Sequence, residues 1–271
     1  MEEVIELVGK ETGPTSMILV GVHGDETCGV EAINELLPVL EIVKGRVFIG
    51  YGNPRAVTSS KRFIERDLNR MFVPTSELSA EDMESYEYTR AQYLKPYLEK
   101  ADTVLDVHGN PWKEKQTFAI CESNAADIAK FLPTKLLVSG FDTVEPGGID
   151  YYMNSIGRVG ICFESGYLDD EYSRKTAGEA IIAFLKARGH IENDLIPQEQ
   201  SHVRIFYKGY SKTNNFQPSR PFMNFEPVSK GEIIGRDGDE TIVVPKESLI
   251  LFARNSNVSG GEIFLLGEAL G

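Results

Sequence analysis

The sequence predicts an α/β protein: a mixed, mainly parallel sheet with helices on both faces, followed by a small β-rich C-terminal domain. Three observations carry this expectation. Continuous apolar runs of strand length, such as Met17-Ile18-Leu19-Val20, alternate with helical patterns through the first two thirds of the chain. The helical pattern stops near residue 194. Short alternating runs punctuated by Pro and Gly replace it. An α/β domain over 1–194 and a β-rich domain over 195–271 are therefore expected.

Residues 4–8 suit a short edge strand. The run 17–22 (MILVGV) has no polar alternation, so it reads as a parallel strand buried on both faces. Val30, Ile33, Leu36 and Leu37 form one face of a helix over 27–40. A second strand follows at 46–51. Residues 53–78 carry Pro, Ser and charge without periodicity and read as loop. Ser79 with Asp82 three residues on opens a helix over 79–100. Further strands are expected at 103–107, 117–121, 135–139 and 158–163. An amphipathic helix spans 169–188 and is ended by Gly189. In the tail, Gly235-Arg236-Asp237-Gly238 between two apolar runs signals a hairpin.

Composition narrows the function. The 271 residues bury enough surface to fold without disulfides. Three cysteines (Cys28, Cys121, Cys162) without a CxxC spacing fit a reduced compartment. The acidic start Glu2-Glu3-Val4 lacks the features of a signal peptide, and no apolar run nears the roughly 18 residues of a membrane span. A cytoplasmic protein without a membrane partner is expected, so Asn257-Val258-Ser259 carries no weight as a glycosylation acceptor. A net charge of -13 repels phosphate backbones, which argues against a nucleic-acid partner. A small anionic substrate stays allowed, because arginines act locally at contact distance. Homo-oligomerisation is compatible with the sequence and not specified by it.

Three sequences carry candidate chemistry, each at the end of an expected strand: Gly21-Val22-His23-Gly24-Asp25-Glu26, Asp106-Val107-His108-Gly109 and Cys162-Phe163-Glu164-Ser165-Gly166. Open α/β sheets bind ligands outside the carboxyl ends of their strands, so the three can converge. Two histidines with one carboxylate, and a fourth position for water, make a catalytic zinc set. His23, Glu26 and His108 supply it, and Glu164 is the candidate general base. Read singly, each element is bland: a loop His is often solvated, Asp-x-His-Gly is often a turn, and Glu164 suits a surface cap. His190 and His202 fall in the expected linker, where exposure is the ordinary reading. The charged loop Asn53-Pro54-Arg55-Ala56 … Lys61-Arg62 … Asp67-Leu68-Asn69-Arg70 is ordinarily a solvated face, although Asn69-Arg70 offers a donor fork for a carboxylate. Cys162 shares a strand face with Glu164 and reads as packing near the site. No GxSxG, P-loop or strand-linked GxGxxG sequence is present.

Taken together and in order, GVHGDE, NPRA, DLNR, DVHG and FESG resemble the aspartoacylase and succinylglutamate desuccinylase family, relatives of the zinc carboxypeptidases. The motifs span residues 21–166, and the β-rich tail fits that family's small C-terminal domain. The resemblance implies one Zn2+ held by His23, Glu26 and His108, with Glu164 as catalytic base. It implies Arg62 as the group that polarises the scissile carbonyl, and Asn69 and Arg70 as the pair that binds the substrate carboxylate. Asp67 matches an acidic residue supporting a zinc-bound imidazole, expected behind His23. Asp106 is either a similar orienter or a strand-end cap. The implied reaction is hydrolysis of an N-acyl amino acid to a carboxylic acid and an amino acid.

One departure stands out. Where aspartoacylases carry a further substrate-binding arginine, this sequence has Asn154, with Arg158 four residues later. A less acidic amino acid or another acyl amide is then expected as substrate. Tyr167, Tyr207 and Tyr210 are candidates for an assisting tyrosine. Two other readings compete: a carboxypeptidase acting on a small peptide, and a metal-binding protein without turnover. A C-terminal domain that narrows the cleft would disfavour the first. Retention of Glu164 and Arg62 weighs against the second.

Overall fold

A computed structural model describes residues 2–113, 115–168 and 170–270. The chain divides into two compact units, 1–137 with 146–200, and 138–145 with 201–271.

The elements in chain order are β1 (Ile5–Val8), β2 (Glu11–Val20), α1 (Cys28–Leu36), β3 (Lys44–Tyr51), α2 (Pro54–Ser59), α3 (Ala80–Glu84), α4 (Tyr86–Leu98), β4 (Thr103–Asn110), β5 (Phe118–Cys121), α5 (Ala126–Ala129), β6 (Leu136–Ser139), α6 (Phe141–Val144), α7 (Ile149–Ser155), β7 (Val159–Tyr167) and α8 (Glu171–Ala187). In the first unit the strand order is β1-β3-β2-β4-β7-β5. The four central strands are parallel, flanked by antiparallel β1 and β5. This is the mixed, mainly parallel sheet that the sequence predicts.

The continuous apolar runs have a simple cause. Ile18 and Val20 point into one core with α1 and α8, around Ile33, Ile181 and Phe184. Met17 and Leu19 point into the other, with Leu94 and Leu98 of α4 and with Ile149 and Met153 of α7. Successive side chains on a strand face opposite ways, so a sheet covered on both sides needs apolar residues at every position.

Several boundaries differ from expectation. The loop over 53–78 contains α2, started by Asn53, whose Oδ1 accepts a hydrogen bond from Ala56 N at 3.1 Å, with Pro54 in the first turn. The helix expected over 79–100 is two helices: Ser85 takes an extended ψ of 156° and caps α4 anew. The expected start of α8 at Asp169 lies outside the described residues; Asp170 caps the helix. His190 is not a surface residue but fully buried. Its ring lies 2.9 Å from the Lys44 carbonyl, at the start of β3, and 2.8 Å from Ser16 Oγ, midway along β2. The charged residues around it hide this: Gly189 takes a left-handed φ of 73°, and the His190 carbonyl accepts from Val43 N and Lys44 N. His202 is half-buried against Ser139.

The second unit is antiparallel. Its strands are β8 (Ser201–Tyr210), β9 (Phe216–Pro218), β10 (Glu226–Val228), β11 (Ile233–Asp237), β12 (Glu240–Val243), β13 (Ser248–Leu251) and β14 (Glu262–Leu270). They form the ladders β8-β14-β13-β10 and β12-β11-β9 around Phe216, Ile234, Ile250 and Phe264. The expected hairpin exists, but its turn is Gly238-Asp239, because Asp237 pairs with Glu240. Gly235 lies within the strand, where a Cβ would come within 2.4 Å of the Gln217 carbonyl.

Candidate active site

Strand order reverses between β2 and β4, since β3 lies on one side of β2 and β4 on the other. The crevice at the carboxyl ends of such strands is where open α/β sheets place their sites. His23 and Glu26 follow β2, His108 lies near the end of β4, and Glu164 on β7 is its register partner. Gly24 lets the turn after β2 lie flat on α2: a Cβ there would sit 2.0 Å from the Ala56 carbonyl carbon.

His23, Glu26 and His108 converge, each 4% exposed or less, with one ligand atom from each within 4.8 Å of the others. Both imidazoles turn Nδ1 inward, 2.8 Å from the two oxygens of Glu26. Both Nε2 atoms face outward onto carboxylates: His23 onto Asp67 at 3.1 Å, His108 onto Asp106 at 2.9 Å. Each ring is therefore held by its far nitrogen, which leaves Nδ1 as the inward donor atom. Gly109 N donates to Glu26 Oε2 at 3.2 Å, a contact with no sequence signal. Arg62 donates to Glu26 Oε1 at 3.0 Å and lies 3.7 Å from Asp67.

The electrostatics follow from burial and crowding. Burial alone would lower both histidines, but Glu26 and Asp67 raise His23, and Asp106 and Glu26 raise His108 well above its usual value. Glu26 resists its own burial because both imidazoles hold it well below the carboxylate range, and His23 does the same for Asp67. Glu164 behaves oppositely: burial pushes it up to about 7, with Glu26 adding repulsion against the pull of His108. Its Oε2 has no hydrogen-bond partner among the described residues. Four carboxylates (Glu26, Asp67, Asp106, Glu164) thus face two imidazoles and one guanidinium. An excess of buried negative charge, two inward imidazole nitrogens and a carboxylate suit a divalent cation.

Asn69 and Arg70 stand on a single 3-10 turn capped by Asp67, whose Oδ1 accepts from Asn69 N at 2.9 Å. The turn packs against Gly147, where a Cβ would lie 3.0 Å from Arg70 Cα. Asn69 Oδ1 is buried and unpartnered among the described residues.

Asn154 does not reach this site. Its Oδ1 accepts from Asn124 Nδ2 at 3.0 Å and from Gly160 N at 3.2 Å, at the start of β7. Arg158 pairs with Asp102 at 3.2 Å, just before β4. Gly160 and Glu164 are four strand residues apart, about 13 Å. Tyr167 is half-buried at the end of β7, whereas Tyr207 and Tyr210 belong to the second unit and are 45% and 54% exposed. Cys162 is buried and its thiol pushed well up by burial, so it stays protonated packing.

Glu87, on the first turn of α4, escaped the sequence reading altogether. It is fully buried and bonded to the loop that carries Arg62 and Asp67. It is the one acid of α4, a helix with no clear apolar face, so no periodicity marks it as inward.

Known proteins resemble this chain in sequence and in fold. Residues 12–178 match the sequence profile described as the succinylglutamate desuccinylase/aspartoacylase catalytic domain. A probable aspartoacylase of Nostoc sp. is 33% identical over 243 residues, covering 79% of this chain and 81% of that protein. An N-acyl-aromatic-L-amino acid amidohydrolase (carboxylate-forming) of Xenopus laevis is 31% identical over 174 residues, 56% of each chain. The crystal structure of a succinylglutamate desuccinylase from Vibrio parahaemolyticus superposes with a TM-score of 0.82 at 19% identity, covering 99% of this chain and 86% of that one. The relatives matched by sequence are named as an acylase and an amidohydrolase. This chain belongs to the succinylglutamate desuccinylase/aspartoacylase family.

Proposed function

We propose that this chain is a zinc-dependent amidohydrolase that cleaves the amide bond of an N-acyl amino acid, releasing a carboxylic acid and an amino acid. The observation that carries the reading is the convergence of His23 Nδ1, Glu26 and His108 Nδ1 beside the buried carboxylate of Glu164. His23, Glu26 and His108 would hold the metal, and Asp67 and Asp106 would orient the imidazoles. A zinc ion bound there acidifies a water molecule and polarises an amide carbonyl.

The residues divide the remaining work. Glu164 takes the proton of the attacking water and delivers it to the departing amine. Its raised pKa suits both transfers, because a base near neutrality can also act as the acid. Arg62 donates to the carbonyl oxygen as charge develops on it. Asn69 and Arg70 hold the free carboxylate of the substrate, which fixes the scissile amide against Glu164. The named activities of the relatives support substrates in which one side of the amide is an amino acid.

The test is amine release from N-acetyl, N-succinyl and N-aroyl amino acids by protein of measured zinc content. Release from one class, abolished by a chelator and restored by zinc, is expected. No release from any member by fully zinc-loaded protein, or release only from peptides, would overturn the assignment.

A further inference from the structure

Arg62 sits on a loop whose residues from Lys61 to Glu65 are exposed. A solvated loop without regular structure does not by itself aim a guanidinium. Its outer tethers are surface contacts: Arg66 Nε with Asp82 at 2.9 Å and Tyr86 N with Glu65 at 2.6 Å. Contacts of this kind hold little.

The firm anchor is underneath. The Glu87 carboxylate accepts four hydrogen bonds from the chain. Oε1 takes Asn53 Nδ2 at 3.0 Å and Ile64 N at 2.8 Å. Oε2 takes Glu65 N at 3.3 Å and Arg66 N at 3.1 Å. Three successive backbone amides turned onto one anion make a nest, here filled by a side chain of the same protein. Asn53 is itself fixed, because its Oδ1 accepts from Ala56 N as the cap of α2. The Ala56–Val57 backbone presses on Gly24 of the metal-site turn, and Gly24 N donates to the Arg62 carbonyl at 3.2 Å. One buried carboxylate therefore joins α4, the start of α2 and the Arg62 loop. A buried carboxylate is tolerated only where such donors surround it. Conversely, these donors need an acceptor: Gln at 87 would turn an NH2 group against one pair of them.

We propose that Glu87 is a positioning residue: it sets the backbone over 64–66 and so aims Arg62 at the reacting carbonyl. The inference rests on the amidohydrolase reading for the role of Arg62, but not for the anchoring itself.

Zinc-loaded full-length wild type, Glu87→Gln, Arg62→Ala and the double variant test it. In the wild-type background Glu87→Gln should lower kcat by about 10- to 100-fold. Zinc affinity is read separately, because Asp67, next to the anchored backbone, bonds His23 Nε2 at 3.1 Å; it should fall by less than kcat does. In the Arg62→Ala background the same substitution should cost less than about 2-fold, because nothing remains to be aimed. Equal losses in both backgrounds would mean general damage and would overturn the proposal. Backbone amide exchange gives an independent readout. Ile64, Glu65 and Arg66 amides should be protected in wild type, and in Glu87→Gln protection should fall at the pair that faces the NH2 group, either Ile64 or Glu65 with Arg66. Unprotected amides in wild type would refute the anchor, even if the variant fails to fold. A wild type that hydrolyses none of the amides would sink the amidohydrolase reading, while exchange still decides whether Glu87 holds the loop.

Discussion

Replacing Glu164 with Gln should remove activity and, in metal-free protein, increase stability. The residue is 9% exposed, and its Oε2 has no partner among the described residues. Burial moves the carboxyl from its ordinary 4.5 up to about 7. At 1.36 kcal/mol per pH unit, ionised Glu164 then costs the fold at most about 3 kcal/mol. The sign follows from proton uptake. Between pH 4.5 and 7 the folded chain retains a proton that the unfolded chain has released, so stability falls as pH rises through that window. Gln has the same shape and no charge, so the variant escapes the loss. Urea unfolding of chelator-treated wild type and variant should coincide near pH 4. Near pH 8 the variant should be more stable by about 1–3 kcal/mol. With zinc restored, it should bind metal and lose turnover by about 10²- to 10⁴-fold. Equal stability at both pH values, or a less stable variant at pH 8, would refute the claim that burial raises this group. Unchanged turnover would refute its role as base.

Three further outcomes are expected. Asp106→Asn, at a site 1% exposed and 2.9 Å from His108 Nε2, should weaken zinc binding about 10- to 100-fold in a competitive chelator titration. Arg70→Ala should raise KM for an N-acyl amino acid far more than it lowers kcat, and the wild-type preference over the matching amide lacking a carboxylate should shrink in steady-state kinetics. His190 is buried as the neutral ring, and burial lowers its pKa below 6.5. The unfolded chain therefore gains the proton first as pH falls, and stability is lost below about pH 6.5. His190→Gln should flatten that part of the unfolding profile, and an identical profile would contradict the burial.

Much of the first unit was legible because burial on two faces leaves a plain mark. A strand such as β2 must be apolar at successive positions, and the polar residues that interrupt such runs at strand ends are conspicuous. His23, Glu26, His108 and Glu164 stand out for that reason, each just where an apolar run gives way to glycine. The five ordered motifs likewise identified the family from residues alone, and the match over 12–178 agrees.

What only tertiary structure decided concerns polar contacts, most of them between residues far apart in sequence. Local pattern left Asp106 as cap or orienter; its place 2.9 Å behind His108 depends on the pleat of β4 at the sheet centre. The resemblance pairs Asn154 with a substrate-binding arginine, yet its side chain bonds Asn124 and Gly160 N near the start of β7, contacts that the sequence does not show. His190 looks like a surface residue because Arg188 and Glu192 flank it, and Glu87 because an acid on a helix without an apolar face is ordinarily exposed. Both are buried because the chain turns back on Ser16 in one case and on the 64–66 backbone in the other. Hydrophobic periodicity reports which face of an element is dry. It does not report which polar group on that face will find its donors 20 or 170 residues away, and those pairings decide how the site is held.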